Sequence, residues 1–435
     1  MTPTTVGLLG IAILVALFFT RMPVAYVMTL VGFLGFSYLK GWEPGLKLLV
    51  RDIYQIFSSE GLAVIPMFVL MGQLAFNAGI GKKLYDCMYA FIGHVRGGLA
   101  MATVAACCAF GTVSGSSPGT AATFAVVGLP EMKRYGYGNR LAAGSVASGG
   151  SLGMLMPPSV VMIVYGILTE QSIGKLFIAG ILPALFISLL FILAIYGFAT
   201  VNPQEGPAGE WVPWSTKLRS LLTLGDTLVI FAVVMGGLFL GWFTPNEAGA
   251  MGAFAVFVVT LVTKTLTWAG FVKSCFETLR TSCMVLFLVA GAVLFGHFLA
   301  VTRIPLNLAG WVSELAWPSW AIVLMIVLVY LVGGCFIDAL ALIMLTIPVF
   351  YPVISNLGYD PIWFGVIIVL VTQMGVITPP VGINVYVVNG IDKSIPLEDV
   401  FVGSLPFLLA LIVGTVVLVF WPQSVVWLPN LMYTR

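Results

Sequence analysis

The stretch VGLLGIAILVALFFT (6–20) carries no charged side chain. Twelve further apolar runs follow it, near 24–39, 62–78, 98–127, 141–168, 176–200, 226–243, 247–263, 282–301, 318–337, 339–355, 362–390 and 402–421. A helix needs about 20 apolar residues to cross the hydrocarbon core of a bilayer. Backbone groups in lipid must satisfy one another, so a chain patterned this way is expected to be helical throughout. The expectation is an all-α membrane protein with about 11–13 transmembrane helices. Composition agrees: 60% of the residues are hydrophobic, 8% are charged, and mean hydropathy is +1.09. These values lie far from those of soluble domains.

The first run lacks a following A-x-A-like cleavage site and reads as a retained helix, not a removable signal. The net charge of +2 is small and dispersed, which gives nucleic acid nothing to bind. The six cysteines lie in or beside apolar runs without a CxxC spacing, and read as small buried hydrophobes. His94 and His297 stand alone. With no nucleophile–base pair and no metal-ligand spacing, an enzyme is not expected.

Two of the apolar runs contain a double proline: SLGMLMPPS at 151–159 and QMGVITPPVG at 373–382. Proline lacks an N–H and clashes with the preceding turn, so each pair should break its helix. The stranded carbonyls are tolerable at membrane depth only inside protein or beside a watery cavity. The two breaks, Gly153-x-x-x-Pro157-Pro158 and Gly375-x-x-x-Pro379-Pro380, stand 222 residues apart. Pro23 and Pro245 share that spacing, as do Gly136-Tyr137 and Gly358-Tyr359. Phe68-x-x-x-Gly72 and Phe287-x-x-x-Gly291 are 219 apart.

The chain therefore reads as two copies of one unit, 1–200 and 225–435, joined by a polar connector at 201–224. With an odd number of crossings per copy, the second is inverted, and paired broken helices meet at the bilayer midplane, as in secondary transporters. The first copy is expected to hold an amphipathic arm helix at 46–61, a re-entrant hairpin around 100–128 and a broken helix at 141–168. The second repeats these at 266–282, around 325–350 and at 362–390. The arms mix basic and apolar residues as interfacial helices do. Basic loops fall on both faces of such a topology, so charge does not orient the chain.

Four segments carry the chemistry. In GTVSGSSPGTAAT (111–123), Gly115, Pro118 and Gly119 mark a turn beside the hydroxyls of Ser114, Ser116, Ser117 and Thr120. Hydroxyl and carbonyl oxygens suit Na⁺, and the N-terminus of the returning helix suits a carboxylate; a small-residue packing seam is the competing reading. In GGCFIDALALIMLT (333–346), Gly333 and Gly334 permit a bend and Asp338 sits at the tip. An acidic residue there stands beside a cation, bonds the opposing loop, or simply caps the next helix.

The breaks add carbonyls from Gly153 to Met156 and from Gly375 to Thr378. Side-chain oxygens come from Gln373, Thr378 and Asn384, with Ser148, Ser151 and Ser159 in the first copy. Candidate cation ligands are thus Ser114, Ser117, Gly153, Met156, Gly334, Asp338, Gln373 and Thr378. Candidate substrate contacts are Ser116, Ser117, Pro118, Thr120, Pro157, Pro158, Asp338, Pro379, Pro380 and Asn384. No Lys or Arg falls in these segments, so bound cations, helix N-termini and hydroxyls are expected to neutralise an anionic substrate. Glu247, in TPNEA, reads as a helix-entry residue.

Taken together, GTVSGSSPGTAATFAVVGLPEMKRYGY, both PP segments, TPNEAGA, GGCFIDALALIMLTIPVF and MGVITPPVGINVYV resemble the large membrane (M) subunit of tripartite ATP-independent periplasmic (TRAP) transporters. The resemblance runs from about residue 5 to 420. It implies a multi-pass permease of the bacterial inner membrane, in the ion-transporter superfamily, working by an elevator motion driven by Na⁺. Two or more ions per cycle and no organic cofactor are expected. It also implies a small four-helix Q subunit, a soluble periplasmic binding protein, a lipid surround, and a small organic acid as cargo.

C4-dicarboxylates, sialic acid and other sugar or keto acids are the usual substrates in that family. By position, its ion sites would fall on Ser114 to Ser117 with Gly149 to Met156, and on Cys335 to Ala339 with Gln373 to Thr378. No fused Q segment precedes residue 1, so the small subunit is expected as a separate chain. Two alternatives stay open: a stand-alone Na⁺/carboxylate symporter, and a non-transporting subunit of a membrane complex. The second would call for intramembrane Lys, Glu and His relays, and the central segments hold only Asp338.

Overall fold

The computed structural model describes residues 2–20, 22–314 and 317–433, and among these the chain is helical with no strand. The first half runs α1 (Pro3–Phe18), α2 (Val24–Lys40), α3 (Trp42–Phe57), α4 (Val64–Asn77) and α5 (Ile80–Ile92). It continues with α6 (Gly98–Ser114), α7 (Ser117–Arg134), α8 (Asn139–Ser151), α9 (Val160–Leu168) and α10 (Ile173–Val201). α11 (Trp214–Thr223) lies within the connector, and after it come α12 (Gly225–Phe231), α13 (Gly237–Phe239), α14 (Pro245–Val262), α15 (Trp268–Thr302) and α16 (Ile304–Glu314). The chain ends with α17 (Ser319–Gly334), α18 (Ala339–Asn356), α19 (Pro361–Gly375), α20 (Ile383–Ile391), α21 (Leu397–Phe420) and α22 (Gln423–Tyr433).

Local chemistry sets these limits. Ser116, Ser159 and Asp338 each accept a backbone N–H from the first turn of the helix that follows them, which satisfies donors a helix start leaves orphaned. Thr244 and Glu247 form a reciprocal capping box at the start of α14, with Pro245 as its first residue. Glu247 is thus the helix-entry residue its sequence context suggests.

Helix starts recur along the chain. α7 and α18 begin 222 residues apart, as do α8 and α19; for α9 and α20 the interval is 223. One stretch does not recur. Where α3 and α4 are separated by residues 58–63, the corresponding part of the second half is a single 35-residue helix, α15. The expected arm at 266–282 and the apolar run after it are therefore one rod, about 52 Å long at 1.5 Å per residue.

Unbroken spans are fewer than apolar runs. Among the described residues, six helices are long and apolar enough to cross a membrane: Glu60–Asn77, Ile173–Val201, Pro245–Val262, Trp268–Thr302, Ala339–Asn356 and Leu397–Phe420. Five shorter apolar helices, among them α6 and α19, accompany them. The difference from about 11–13 comes partly from the breaks, since the run at 98–127 divides at Gly115 and that at 362–390 divides at 376–382, and partly from α1, α2 and α17, unbroken helices of 16, 17 and 16 residues.

Two groups of helices pack together. α1, α2, α3 and α4 gather on α15, with α14 against α4. The other group places α6, α7 and α8 against one another, with α10, α20 and α21 around them and α17 against α19. Its centre holds fully buried Phe110, Phe124, Tyr165 and Trp363. The connector is held to the second group by main-chain bonds, in which Gly97 donates to Gly206, Gly138 to Glu205 and Gly209 to Gly93.

Candidate functional site: a cleft at two hairpin tips

Each hairpin tip meets the broken helix of its own half. Gly115 turns the chain between α6 and α7 at φ +59°, in the left-handed region that favours glycine. A Cβ there would lie 2.6 Å from the Pro158 carbonyl oxygen. Ser116 caps α7 and accepts the Gly119 N–H at 3.3 Å. Thr120 donates through Oγ1 to the Ser116 carbonyl at 2.7 Å, and Oγ1 also lies 2.7 Å from Ser114 Oγ. A Cβ on Gly153 would come within 2.4 Å of Thr120 Oγ1. The first tip and first break are thus in direct contact.

The second pair is tighter. A Cβ on Gly375 would fall 2.3 Å from the Gly334 carbonyl carbon and oxygen, so the two backbones meet with no room for a side chain. The Val381 N–H donates to the Cys335 carbonyl at 3.2 Å. Asp338 accepts the Leu340 N–H at 3.0 Å as the cap of α18. Thr378 Oγ1 donates to the Met374 carbonyl at 2.5 Å. The Pro157–Pro158 and Pro379–Pro380 bonds are both cis.

Asn384, fully buried, ties the two pairs together. Its Oδ1 accepts from Ser117 Oγ at 2.9 Å, and its Nδ2 donates to the Ala147 carbonyl at 2.8 Å. Both ends of the amide are used, so the side chain has one orientation. Gln373 is the opposite case. It is 0% exposed, and among the described residues neither Oε1 nor Nε2 has a hydrogen-bond partner. Ser148 Oγ is likewise buried and without a partner. Burying an unpaired polar group costs about 1–3 kcal/mol, so an orphan amide of this kind calls for a polar guest such as water or a cation.

A cleft of about 470 Å³ opens where the tips face the other helix group. One wall carries Ser114 to Gly119, Asp338 to Leu340, Val160 and Val161. The other carries Gly72 and Gln73 of α4 with Lys273, Glu277 and Thr281 of α15. Of the sequence-predicted residues, Ser114, Ser116, Ser117, Pro118 and Asp338 line this space. Thr120, Gly153, Met156, Pro157, Pro158, Gly334, Gln373, Thr378 and Asn384 are outside its lining, as are Pro379 and Pro380, which are exposed. Among the described residues no three His, Cys, Asp or Glu side chains cluster as a metal centre. The oxygens gathered here are hydroxyls, carbonyls and one carboxylate, a donor set for hard cations.

Lys273 and Glu277 line the cleft from outside the four segments that the sequence singles out, which hold no Lys or Arg. They were legible only as the polar face of an amphipathic helix, and nothing in that helix says its polar face looks inward. A second electrostatic feature lies outside the apolar segments. Lys133, at the end of α7, pairs with Asp392 after α20. The Lys133 hydrogen bond, then that from Ser394, holds the Asp392 carboxyl below the usual carboxylate range. Arg140 of α8 pairs with Asp399 of α21 at 2.9 Å.

An all-helical membrane protein with two tip-and-break pairs beside a largely apolar cleft that carries hydroxyls and charged side chains has the build of a secondary transporter. Its fold is similar to that of the Alcanivorax borkumensis YdaH transporter, with a TM-score of 0.62 at 16% identity over 88% of this chain and 89% of that one. The family model described as tripartite ATP-independent periplasmic transporter, DctM component, matches residues 11–424, and the chain belongs to that family. It is 36% identical to the C4-dicarboxylate TRAP transporter large permease protein DctM of Pseudomonas aeruginosa, over 88% of this chain and 90% of the relative. It is 32% identical to the sialic acid TRAP transporter large permease protein SiaM of Vibrio cholerae, over 95% and 96%. The family is one of multi-pass transport permeases, not of enzymes.

Proposed function

We propose that this chain is the membrane permease of a bacterial inner-membrane, Na⁺-driven, binding-protein-dependent importer of a small organic acid. The observation that carries the ion coupling is Gln373, buried with both polar atoms unpartnered. A Na⁺ seated against its Oε1 and nearby carbonyls would satisfy that group and lend positive charge to the cleft. Ser114, Ser117, Gly153, Met156, Gly334, Asp338 and Thr378 are the further candidate ligands. Ser116, Pro118, Thr120 and Asn384 would face or brace the cargo, and the prolines at 157, 158, 379 and 380 would hold the breaks open.

Recurrence of helix starts near an interval of 222 supports the reading of two inverted repeats. In that reading the tip-bearing group moves as an elevator against the group gathered on α15. Relatives bearing this large-permease name are called C4-dicarboxylate, sialic acid and ectoine transporters, which supports a polar acid as cargo. One relative, of which this chain covers 55%, is named permease protein DctMQ, which supports a small Q subunit as partner, and the word tripartite supports a binding protein as the third component.

The test is uptake by proteoliposomes holding this chain and its small subunit, with the binding protein outside. Radiolabelled succinate, N-acetylneuraminate and ectoine are offered with and without an inward Na⁺ gradient. Accumulation of one of them only with both the gradient and the binding protein is expected. Uptake indifferent to Na⁺ overturns the coupling, and uptake without the binding protein favours a stand-alone symporter.

A further inference from the structure

The cleft has two walls of different character. The tip wall offers hydroxyls, helix N-termini and the Asp338 carboxylate; the facing wall presents Lys273 and, one turn further along α15, Glu277. Among the described residues neither of these makes an ion pair within 4 Å. They do not neutralise each other, and Lys preceding Glu at i,i+4 is the less favourable order for such a pair on a helix. The anchoring of this stretch of α15 is independent of either charge. Ser274 donates to the Gln73 carbonyl at 3.1 Å, and Asn77 Nδ2 donates to Ser274 Oγ at 2.9 Å. α15 is thereby stitched to α4, and Lys273 and Glu277 are left as side chains the packing does not need.

Building on the permease reading, we infer that Lys273 is the fixed counter-charge for a carboxylate of the cargo. Glu277 is the element that selects against a second carboxylate at the other end. The two side chains stand about 6 Å apart at their roots, the scale of a small acid. A molecule with a carboxylate at one end and a hydroxyl or ammonium at the other meets complementary charge on this wall. A symmetric dicarboxylate sets its far end against Glu277 or Asp338. Lys273 belongs to the wall opposite the tips, so it serves the cargo only while the tips face α15. It governs loading affinity rather than the translocation step.

The experiment uses the complete reconstituted system and the same three probes. Lys273→Met is expected to raise KM for the transported probe at least tenfold with maximal rate nearly unchanged, and Lys273→Arg to stay within threefold of wild type. Charge rescue separates chemistry from folding. Contrary to the sequence reading, Cys275 and Cys283 are exposed and Cys335 half-buried; with all three replaced by serine, Lys273→Cys treated with an aminoethyl thiosulfonate regains a cation and low KM, whereas the sulfonatoethyl reagent does not restore it. Glu277→Gln is expected to lower, severalfold, the succinate concentration that half-saturates or half-inhibits uptake.

A wild-type KM in Lys273→Met overturns the assignment of Lys273. So does a loss of uptake that the aminoethyl reagent fails to reverse. An unchanged succinate midpoint in Glu277→Gln overturns the selection role. Wild type that accumulates none of the probes overturns the permease reading and this inference with it. Normal wild-type uptake with unaltered variants overturns this inference alone.

Discussion

At the scale of single residues, Gln373 and Asn384 show how the same amide chemistry serves two ends. Asn384 is saturated by Ser117 and the Ala147 carbonyl and acts as a brace. Gln373 is buried and unsatisfied. Replacing an unsatisfied buried polar group by an apolar one of similar shape relieves a penalty of about 1–3 kcal/mol. Gln373→Leu should therefore melt in detergent at or above the wild-type temperature, yet require at least tenfold more Na⁺ for half-maximal uptake. Parallel loss of stability would place Gln373 among the structural residues instead. Residue chemistry was legible where an unusual group stood in an apolar run, as with Gln373, Asp338 and the serines at 114–117. Lys273 was not, because a charge on an amphipathic helix looks the same from the sequence whether it faces water or a cleft.

At the scale of elements, the contact between the end of α19 and the end of α17 is made of backbone. Alanine is favoured over glycine in a helix by about 0.5–1 kcal/mol, but overpacking a close contact costs about 1–3 kcal/mol. At Gly375 the added methyl meets main-chain atoms at 2.3 Å, which no side-chain rotation can relieve, so the penalty wins. Gly375→Ala should lower the melting temperature by roughly 2–4 °C. Gly333→Ala is the control: its methyl meets only the mobile end of Leu342, and it should melt within a degree or so of wild type. Equal effects would mean that the backbone contact does not set this tip. The sequence marks such breaks well, since proline pairs and glycines are local signals. It does not say that the arm at 266–282 runs on into α15, because a helix carries no stop signal there to read and continuity depends on what packs beside it.

At the scale of the molecule, the halves are fastened by charge as well as by apolar packing. Lys133 and Arg140 from the first half reach Asp392 and Asp399 in the second. The Asp392 carboxyl is held below its ordinary value by Lys133, so its contribution to stability is present above the unfolded carboxylate pKa of about 3.9. That contribution is lost as pH falls through the lower folded value. Lys133→Met should therefore melt below wild type near neutrality, and the gap should narrow as the medium is taken below about pH 4. A gap that is constant with pH would mean that Lys133 acts through packing.

The connector shows how the joint between the two halves of the chain is held. A stretch this polar, rich in proline and glycine, would be expected to form a loose tether. Residues 205–209 instead exchange main-chain hydrogen bonds with Gly93, Gly97 and Gly138. Because amide and carbonyl groups make these bonds, side chains along the tether can drift without releasing it, while its length and path cannot. An engineer wishing to cut this polypeptide into two co-expressed fragments, or to insert a reporter between them, should leave 205–209 intact. The seam has become part of the first fragment.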